Sequence, residues 1–487
     1  MNHLRFACVA CALIAACGGS GPDSTEPAFS GMKILPGLAT SDTALARLLP
    51  SLTVELRDDG RPLPGVVVRF EGLPAPGAGP DASANAKPGM LVSSVDANDF
   101  VGFASDTTDQ NGRARVFVQL GERAGDMGVR ITVPELSFVD TAKFSVLPGN
   151  ATQMIVGVRD TVVRVGGKFS IRAHAADEHG NVRLQDTVVY QALDALGTVD
   201  ATGTIRAAQA VGRATVVVRS GGIVDSTQYT VVPVATLTAV YDGPDGVPKV
   251  ATLGVDGSNL KVIGRVYPPG VFPTHSPTED LVVYQRGTYG QGIELMTGTG
   301  TTRVLVDQAL LWGTYYPVFS PDGAFVYFSG AGAQVSQTGI YRVALDGSAL
   351  TQVASSDFGF TTPGVSPDGT RVAFTRNAGL FVQTVATGDS VKVGRSGWFP
   401  DFSPDGQRVA YINDSSDGSI TIARSDGTSS KQIVVGVSTD SRMSWMPDGK
   451  WLLTRRYDGV LVLVNSISNA IVPMPSLRHF REATVNH

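Results

Sequence analysis

The 487 residues are too many for one compact core and suit two to four domains. The chain contains 56 glycines and 28 prolines, and only 17% of its residues are charged, a composition typical of all-β proteins with many short strands and tight turns. The net charge of −5, with acidic and basic residues interleaved, excludes the basic surface that a nucleic-acid partner requires.

Residues 1–16 have the features of a secretory signal peptide. Arg5 precedes an apolar stretch over residues 6–16. A membrane-spanning helix needs about 20 residues, so this stretch is too short to cross a bilayer. The three cysteines, Cys8, Cys11 and Cys17, all lie at this end. The rest of the chain therefore has neither a disulfide framework nor a thiolate metal site.

The sequence Ile14-Ala15-Ala16-Cys17 resembles the lipobox of bacterial lipoproteins. The resemblance implies cleavage before Cys17, lipidation of its thiol and anchoring of the chain in a membrane. The alternative is an ordinary signal peptide followed by an incidental cysteine. Residues 17–31, rich in Gly, Ser and Pro, are predicted to form a flexible tether. Gly18 follows the cysteine where many inner-membrane lipoproteins carry Asp, which favours the outer membrane.

Residues 32–148 alternate short β-patterned runs with turn sequences. Runs at 52–56 and 65–70 flank an Asp-Asp-Gly turn, and a turn at 107–112 leads into the run 113–118. This order resembles bacterial Ig-like domains of the invasin type. We predict a long inter-strand loop over residues 73–97, which are rich in Pro, Gly and Ala.

Residues 150–233 resemble a second type of bacterial Ig-like domain. The run 161–167 precedes a predicted strand at 169–175, and the order V-D-A-T-G at 199–203 followed by G-R-A-T-V at 212–216 carries the resemblance. A β-sandwich of about seven strands fits this length. Such domains serve as spacers or adhesive modules, and the fold does not decide between these roles.

Residues 235–487 contain a repeat of about 40 residues built around a Ser-Pro-Asp-Gly turn and an alternating strand. The repeats are centred on Ser276, Ser320, Ser366, Ser403 and Met446, at spacings of 44, 46, 37 and 43 residues. A period of this length made only of strands predicts the four-stranded blades of a β-propeller. The alternating strand predicts that Val372, Phe374 and their equivalents pack between blades.

Each part of the repeated turn has a physical role. Proline presets φ for an early turn position, aspartate accepts hydrogen bonds and glycine tolerates positive φ. Because the aspartates recur regularly, we interpret them as turn-forming residues in preference to a ring of functional acids. The residues assigned this structural role are Ser320, Pro321, Asp322, Gly323, Ser366, Pro367, Asp368, Gly369, Ser403, Pro404, Asp405, Gly406, Pro447, Asp448 and Gly449.

The blade count depends on the last strand. Residues 235–264 match only the outer part of a blade, whereas residues 480–487 match an inner strand and lie one repeat length after Met446. We predict that this strand completes the first blade and gives six blades. In the alternative, residues 229–234 supply the missing strand.

Both this turn and a second Asp-Gly turn, as at 346–347, resemble the repeats of TolB-like propellers. The resemblance implies a protein-interaction module of the periplasm. The chain departs from TolB in having no N-terminal α/β domain, so no direct role in the Tol–Pal system is expected.

No catalytic constellation is evident. The G-x-S-x-G and H-E-x-x-H motifs are absent, and His174 and His179 are interpreted as surface imidazoles rather than a metal site. No metal and no cofactor is predicted. Aromatic residues recur before the inner strands, either as core or as a ligand-facing patch near the channel: Trp312, Tyr315, Tyr316, Trp398, Phe399 and Trp445.

The leading hypothesis is a non-catalytic envelope lipoprotein with a propeller as binding head, an Ig-like stalk and an envelope protein as partner. One alternative is a propeller-based enzyme that processes polysaccharides or peptides, for which His275, Arg342 and Arg395 are scattered candidates. A second alternative is a surface adhesin that acts through its Ig-like modules.

Overall fold

A computed structural model describes residues 29–73, 90–93, 99–266, 272–287, 289–311, 313–332, 337–356, 361–414, 417–438 and 441–487. Strands make up 58% of the structure and helices 1%, so the all-β prediction is confirmed. The helices given for the described residues include the 3-10 turns Pro134–Leu136 and Pro475–Leu477. Within the described ranges, no helix has the length and apolar character needed to cross a bilayer. The lipobox cysteine Cys17, the signal peptide and nearly all of the tether lie outside the described residues.

The chain divides into two compact units, Met1–Gln153 with Ala176–Arg183, and Met154–Ala175 with Leu184–His487. The strands before residue 150 are β1 (Gly31–Ile34), β2 (Ser41–Thr43), β3 (Arg47–Asp58), β4 (Arg61–Pro62), β5 (Val67–Gly72), β6 (Met90–Ser93), β7 (Phe103–Thr107), β8 (Arg113–Leu120), β9 (Gly125–Val133) and β10 (Phe138–Leu147).

These strands form a sandwich of two sheets, β1-β3-β8-β6 with β4 beside β3, and β2-β10-β9-β5-β7. The alternating residues of both sheets share one core, in which Val54, Val116 and Ile131 are fully buried. The predicted loop over residues 73–97 is interrupted by β6. Met90 and Val92 are fully buried in this strand, which pairs with β8, so burial outweighs the loop-like composition around it.

The next strands are β11 (Gln153–Val156), β12 (Thr161–Arg164), β13 (Lys168–Ser170), β14 (Ala173–Ala176), β15 (Val189–Ala192), β16 (Gly197–Val199), β17 (Thr204–Ala207), β18 (Gly212–Ser220) and β19 (Ile223–Val232). They form the sheets β12-β19-β18-β15 and β13-β17-β16 and the pair β11-β14. The single strand predicted at 169–175 is wrong. It divides at Ile171, which is fully buried and donates its N–H to the Gly203 carbonyl, and the two halves join different sheets.

From Thr236 onward the described residues form six four-stranded antiparallel sheets. Their strands are β20 (Thr236–Asp242), β21 (Pro248–Gly254), β22 (Lys261–Arg265), β23 (Thr274–His275), β24 (Leu281–Gln285), β25 (Gly292–Thr297), β26 (Thr302–Asp307), β27 (Gly313–Phe319), β28 (Phe325–Ala331), β29 (Thr338–Ala344), β30 (Thr351–Ser355), β31 (Gly364–Val365), β32 (Arg371–Arg376), β33 (Gly379–Thr384), β34 (Ser390–Arg395), β35 (Gly397–Phe402), β36 (Arg408–Asn413), β37 (Ser419–Arg424), β38 (Ser430–Val434), β39 (Ser444–Trp445), β40 (Trp451–Arg455), β41 (Leu461–Asn465), β42 (Ile471–Met474) and β43 (Phe480–Val485).

The sheets are the blades of a six-bladed propeller, numbered here in chain order. Blade 1 is β43-β20-β21-β22, and the other five use consecutive strands. The predicted closure by the last strand is therefore confirmed, and the alternative is wrong because residues 229–232 belong to β19. Val372 and Phe374 of blade 4 are fully buried against Tyr327 and Ile340 of blade 3, as the alternation predicted.

Two arginines tie neighbouring blades together. Arg371 in blade 4 donates to the Gly406 carbonyl and to Ser425 Oγ of blade 5, both at 3.0 Å. Arg408 in blade 5 donates to the Gly449 carbonyl of blade 6 at 2.7 Å. Each stands two residues after the glycine of its turn, so the repeat itself sets the reach of the side chain.

Blade 1 shares its core with the second sandwich. Val162 and Val232 of the sandwich are buried in one cluster with Leu237 and Leu253 of blade 1 and Trp451 of blade 6. Because apolar surface is buried on both sides, this sandwich and the propeller form one continuous packed body.

Candidate functional site

Each blade has an equivalent residue four positions before the serine position of its turn, in or just before its innermost strand. We refer to these six as the bulge residues: Phe272, Tyr316, Thr362, Phe399, Arg442 and Glu482. Four of them, Phe272, Tyr316, Phe399 and Glu482, have φ between 37° and 57°. Non-glycine residues rarely adopt this conformation, and it concentrates at functional sites.

A β-bulge explains this backbone for Tyr316, Phe399 and Glu482. In β27, Tyr315 and Val318 pair with Ser329 and Tyr327, so two residues stand opposite one on the partner strand. The same register shift occurs between Trp398 and Asp401 in β35. The bulge turns the side chain of its first residue away from the ladder, and in the aromatic cases it meets other bulge residues.

Three aromatic bulge residues pack together across the channel, which we call the aromatic plug. The Phe272 ring lies 4.7 Å from the Tyr316 ring and 5.5 Å from the Phe399 ring, and the last two are 5.3 Å apart. These residues come from blades 2, 3 and 5, so their contact closes the propeller channel at this level. Edge-to-face geometry and burial both stabilise such a cluster.

The polar bulge residues lie around the plug. Arg442 is 6% exposed and donates to Thr274 Oγ1 at 2.8 Å and to the Pro317 carbonyl at 3.0 Å. Burial lowers the pKa of Arg442 to about 10, against the raising effect of the Asp401 and Glu482 carboxylates. Glu482 is buried and accepts the Phe272 N–H at 2.9 Å. Arg442 is therefore charged at neutral pH and bridges blade 6 to blades 2 and 3.

A cavity of about 510 Å³ opens from the plug toward the Ser-Pro-Asp-Gly turns. Its lining includes Phe399 and Arg442 at the plug end. The prolines of five turns line its mouth: Pro277, Pro321, Pro367, Pro404 and Pro447. His487 occupies the sixth position of this proline ring. The volume is in the range of pockets that bind ligands.

Asp401 is the carboxylate that faces this cavity. It is half-buried, and its Oδ2 accepts the Trp445 N–H at 2.7 Å. Burial raises the pKa of Asp401, while His487, the Trp445 N–H and Arg442 oppose that shift. The cavity thus combines apolar walls with a small number of charged groups, an arrangement typical of binding sites.

The turn residues themselves hydrogen-bond locally. Ser320, Ser366 and Ser403 donate to the aspartate two positions on, at 2.5–2.6 Å. The aspartates are exposed and also accept backbone N–H groups of their own turns. Asp448, which follows Met446 instead of a serine, accepts the Lys450 N–H at 2.9 Å. Each turn contributes its proline to the cavity, and the blade 3 turn also contributes Ser320.

The other candidate residues from the sequence differ in their position relative to the cavity. His275 lines the cavity, with its Nε2 3.6 Å from Asp280, whereas Arg342 and Arg395 do not line it. Trp445 is fully buried between blades, and Trp312 lies outside the described residues. Within the described ranges, no group of three or more His, Cys, Asp or Glu could hold a metal ion.

Tyr316 and Phe399 were among the aromatic residues expected near the channel. Sequence reasoning missed Phe272, Arg442, Glu482 and Asp401. A signal for three of them was present, since all stand at the same distance from the turn as Tyr316. Asp401 carries no such signal, because its equivalents in other blades are uncharged.

No protein-family model matches the chain. A curated protein described as "Protein TolB homolog" from Chlorobium luteolum is 33% identical over 116 residues, which are 23% of this chain and 27% of that protein. The chain thus matches about a quarter of that relative's length.

The solved structures that resemble the chain include two described as TolB. TolB from Acinetobacter baumannii is 15% identical with a TM-score of 0.46, covering 69% of this chain and 99% of that one. A protein described as TolB from Agrobacterium tumefaciens is also 15% identical, with a TM-score of 0.40, covering 50% and 89%.

Proposed function

We propose that this protein is a non-catalytic binding protein of the cell envelope, and that the cavity of its propeller recognises a protein partner. The observation that carries the proposal is a cavity of about 510 Å³ that the aromatic plug closes at one end and prolines surround at the other. Apolar walls with few charged groups suit recognition of a protruding polypeptide segment. The resemblance of the repeat to TolB-like propellers, which are interaction modules, supports the same conclusion.

The remaining parts complete the proposal. Cys17 is the lipidation site, and it anchors the mature chain in the outer membrane through a tether over residues 17–31. The two sandwiches, over residues 32–148 and 150–233, are bacterial Ig-like domains that form a stalk. The turn residues of the Ser-Pro-Asp-Gly repeats have a structural role in the blades that carry them.

The role of the cavity in binding is tested with a substitution that fills it. Val318 lines the cavity, whereas Val391 is 39% exposed on the outer strand β34. The full-length protein and its Val318→Trp and Val391→Trp variants are used to capture proteins from an envelope extract, after thermal melting has shown that both variants fold. We expect Val318→Trp to lose the specifically captured protein and Val391→Trp to retain it. Equal capture by both variants contradicts the proposal.

The anchor is tested by labelling cells with a tritiated fatty acid. We expect the wild-type protein to carry the label and to sediment with membranes. Cys17→Ser should lose both properties, while Cys11→Ser retains them because Cys11 lies within the removed peptide. Label on the Cys17→Ser variant would refute lipidation at this residue.

A further inference from the structure

The strand β43 has different neighbours on its two sides. Ala483 and Val485 are buried in the core that blades 1 and 6 share with the second sandwich. The residues that alternate with them contact blade 2. Glu482 accepts the Phe272 N–H at 2.9 Å, and Thr484 Oγ1 donates to the Pro273 carbonyl at 3.0 Å. This strand therefore connects the shared core to blade 2.

The same strand forms part of the cavity. Residues 484–487 line it, and the Phe272 N–H that Glu482 accepts belongs to a residue of the aromatic plug. Detachment of β43 would therefore remove part of the cavity wall and one support of the plug.

The attachment of β43 differs from that of the other inner strands. The inner strand of every other blade is joined to its neighbour by a short turn, whereas β43 and its neighbour β20 lie at opposite ends of the propeller sequence. The pairing of β43 with β20 is also interrupted by a bulge between Thr238 and Val240. Because no turn holds this strand beside its neighbour, its attachment depends strongly on the burial of Ala483 and Val485.

The second sandwich contributes to the core in which those residues are buried. Val162 of β12 and Val232 of β19 lie on the same side of their sheet and are 8% and 0% exposed in the shared core. Only residues 233–235 separate β19 from β20, and the Ala235 carbonyl accepts the Val255 N–H of blade 1 at 3.0 Å. A displacement of this sandwich is therefore transmitted to the shared core.

We propose that the second sandwich controls the cavity of the propeller by holding β43 in place. While the sandwich packs on the shared core, β43 stays paired with β20, keeps its contacts with blade 2 and completes the cavity wall. When the sandwich is displaced, β43 loses part of its apolar support and detaches more often, and the wall and the plug lose its residues. The inference concerns the free protein, so its test is independent of what the cavity binds.

The test compares two neighbouring valines of β19 that are both fully buried. Val232 packs in the shared core, whereas Val231 pairs with Val163 and lies on the opposite side of the sheet. Hydrogen–deuterium exchange of single amides is measured by mass spectrometry with electron-transfer fragmentation, for the full-length wild type and for Val232→Ala and Val231→Ala. In Val232→Ala we expect the amides of residues 480–485 and of Phe272 to exchange about 10-fold faster, because the truncation leaves a void in the shared core.

Val231→Ala is the matched control. It should accelerate exchange in β18 and β19 and leave β43 and the Phe272 amide near their wild-type rates. Equal acceleration of β43 by both variants would show that this strand opens only together with the whole second unit, and would overturn the inference. Wild-type exchange of β43 in Val232→Ala would overturn it as well, and so would an acceleration of β43 that does not reach Phe272.

Discussion

Blade 1 and blades 4 and 5 reach the same four-stranded form by different means. Blades 4 and 5 are continuous in sequence, carry complete Ser-Pro-Asp-Gly turns and reach the next blade through Arg371 and Arg408. Blade 1 joins β43 to β20, and at its serine position Asn486 accepts a hydrogen bond from Thr238 Oγ1 at 2.8 Å. Neither the turn motif nor the arginine is present there.

The difference shows which interactions hold neighbouring blades together at each contact between them. Where the sequence is continuous, short polar contacts between neighbouring turns add to the apolar packing between blades. Where two distant parts of the chain meet, main-chain pairing and a larger apolar core take over, and the second sandwich contributes Val162 and Val232 to that core. The closing blade therefore depends on burial, and the continuous blades depend in part on turn chemistry.

The largest effect is expected from deleting residues 480–487. Phe480, Ala483 and Val485 are buried in the shared core, and each large apolar side chain contributes about 2 kcal/mol on burial. With the lost strand pairing, we expect a loss of more than about 5 kcal/mol in the free energy of unfolding. Calorimetry should show the second unit melting at a much lower temperature, while the first unit provides an internal reference. Unchanged melting of the second unit would show that β43 does not close the ring.

Arg408→Met should have the next largest effect. The guanidinium donates to Gly449 and Ser466 of blade 6 and lies 4.5 Å from the Trp445 ring centroid. Loss of these contacts should cost about 2 kcal/mol in the free energy of unfolding, measured with urea. Arg424→Met is the matched control, since the Arg424 side chain is 51% exposed and pairs only with exposed Asp426. If Arg408→Met lowers the free energy of unfolding no more than Arg424→Met does, Arg408 does not stabilise the contact between blades 5 and 6.

Ser366→Ala tests the turn itself. The buried Ser366 hydroxyl donates to Asp368 and accepts the Arg371 N–H at 2.9 Å, so its removal leaves a backbone donor without its acceptor. We expect a cost of about 1–2 kcal/mol. Thr370→Ala, which removes an exposed donor to the same carboxylate, should cost clearly less. Equal urea midpoints for the two variants would contradict this explanation.

The smallest effect concerns acid stability. The hydrogen bond from Ser366 and those from Thr370 lower the pKa of Asp368 from 3.8 to about 2. A carboxylate with a lowered pKa stabilises the fold above its unfolded pKa, and this contribution disappears as pH falls from about 4 to about 2. The melting temperature of Asp368→Asn should therefore lie slightly below that of the wild type at pH 6 and converge with it near pH 2. A constant difference across this range would argue against the lowered pKa.

The fold was largely predictable because its signal is repetitive and local. The turn residues act within their own hairpins, so their role can be inferred from a short stretch of sequence, as at 320–323, 366–369 and 403–406. The prediction at 169–175 failed because the break at Ile171 depends on the position of another sheet, and the loop prediction at 73–97 failed because burial of Met90 and Val92 outweighs local composition.

The candidate site was harder to predict because its residues come from every blade. Phe272, Arg442 and Glu482 share a position in the repeat but no chemistry, and only the ring geometry brings them together. The bulges in β27, β35 and β43 decide which side chain meets its equivalents, and alternation alone places that residue on the wrong side. An acidic residue stands at the position of Asp401 in one blade only, so the periodicity of the repeat gives no information about it.

The contact among Phe272, Tyr316 and Phe399 makes the propeller channel a blind cavity and not an open passage. Ligand and displaced water must pass through the same proline-lined opening, in opposite directions. An extended polypeptide cannot thread through, so it can engage only by a protruding side chain, a turn or an end. A partner bound as proposed would therefore leave through the opening by which it entered, without sliding along its length.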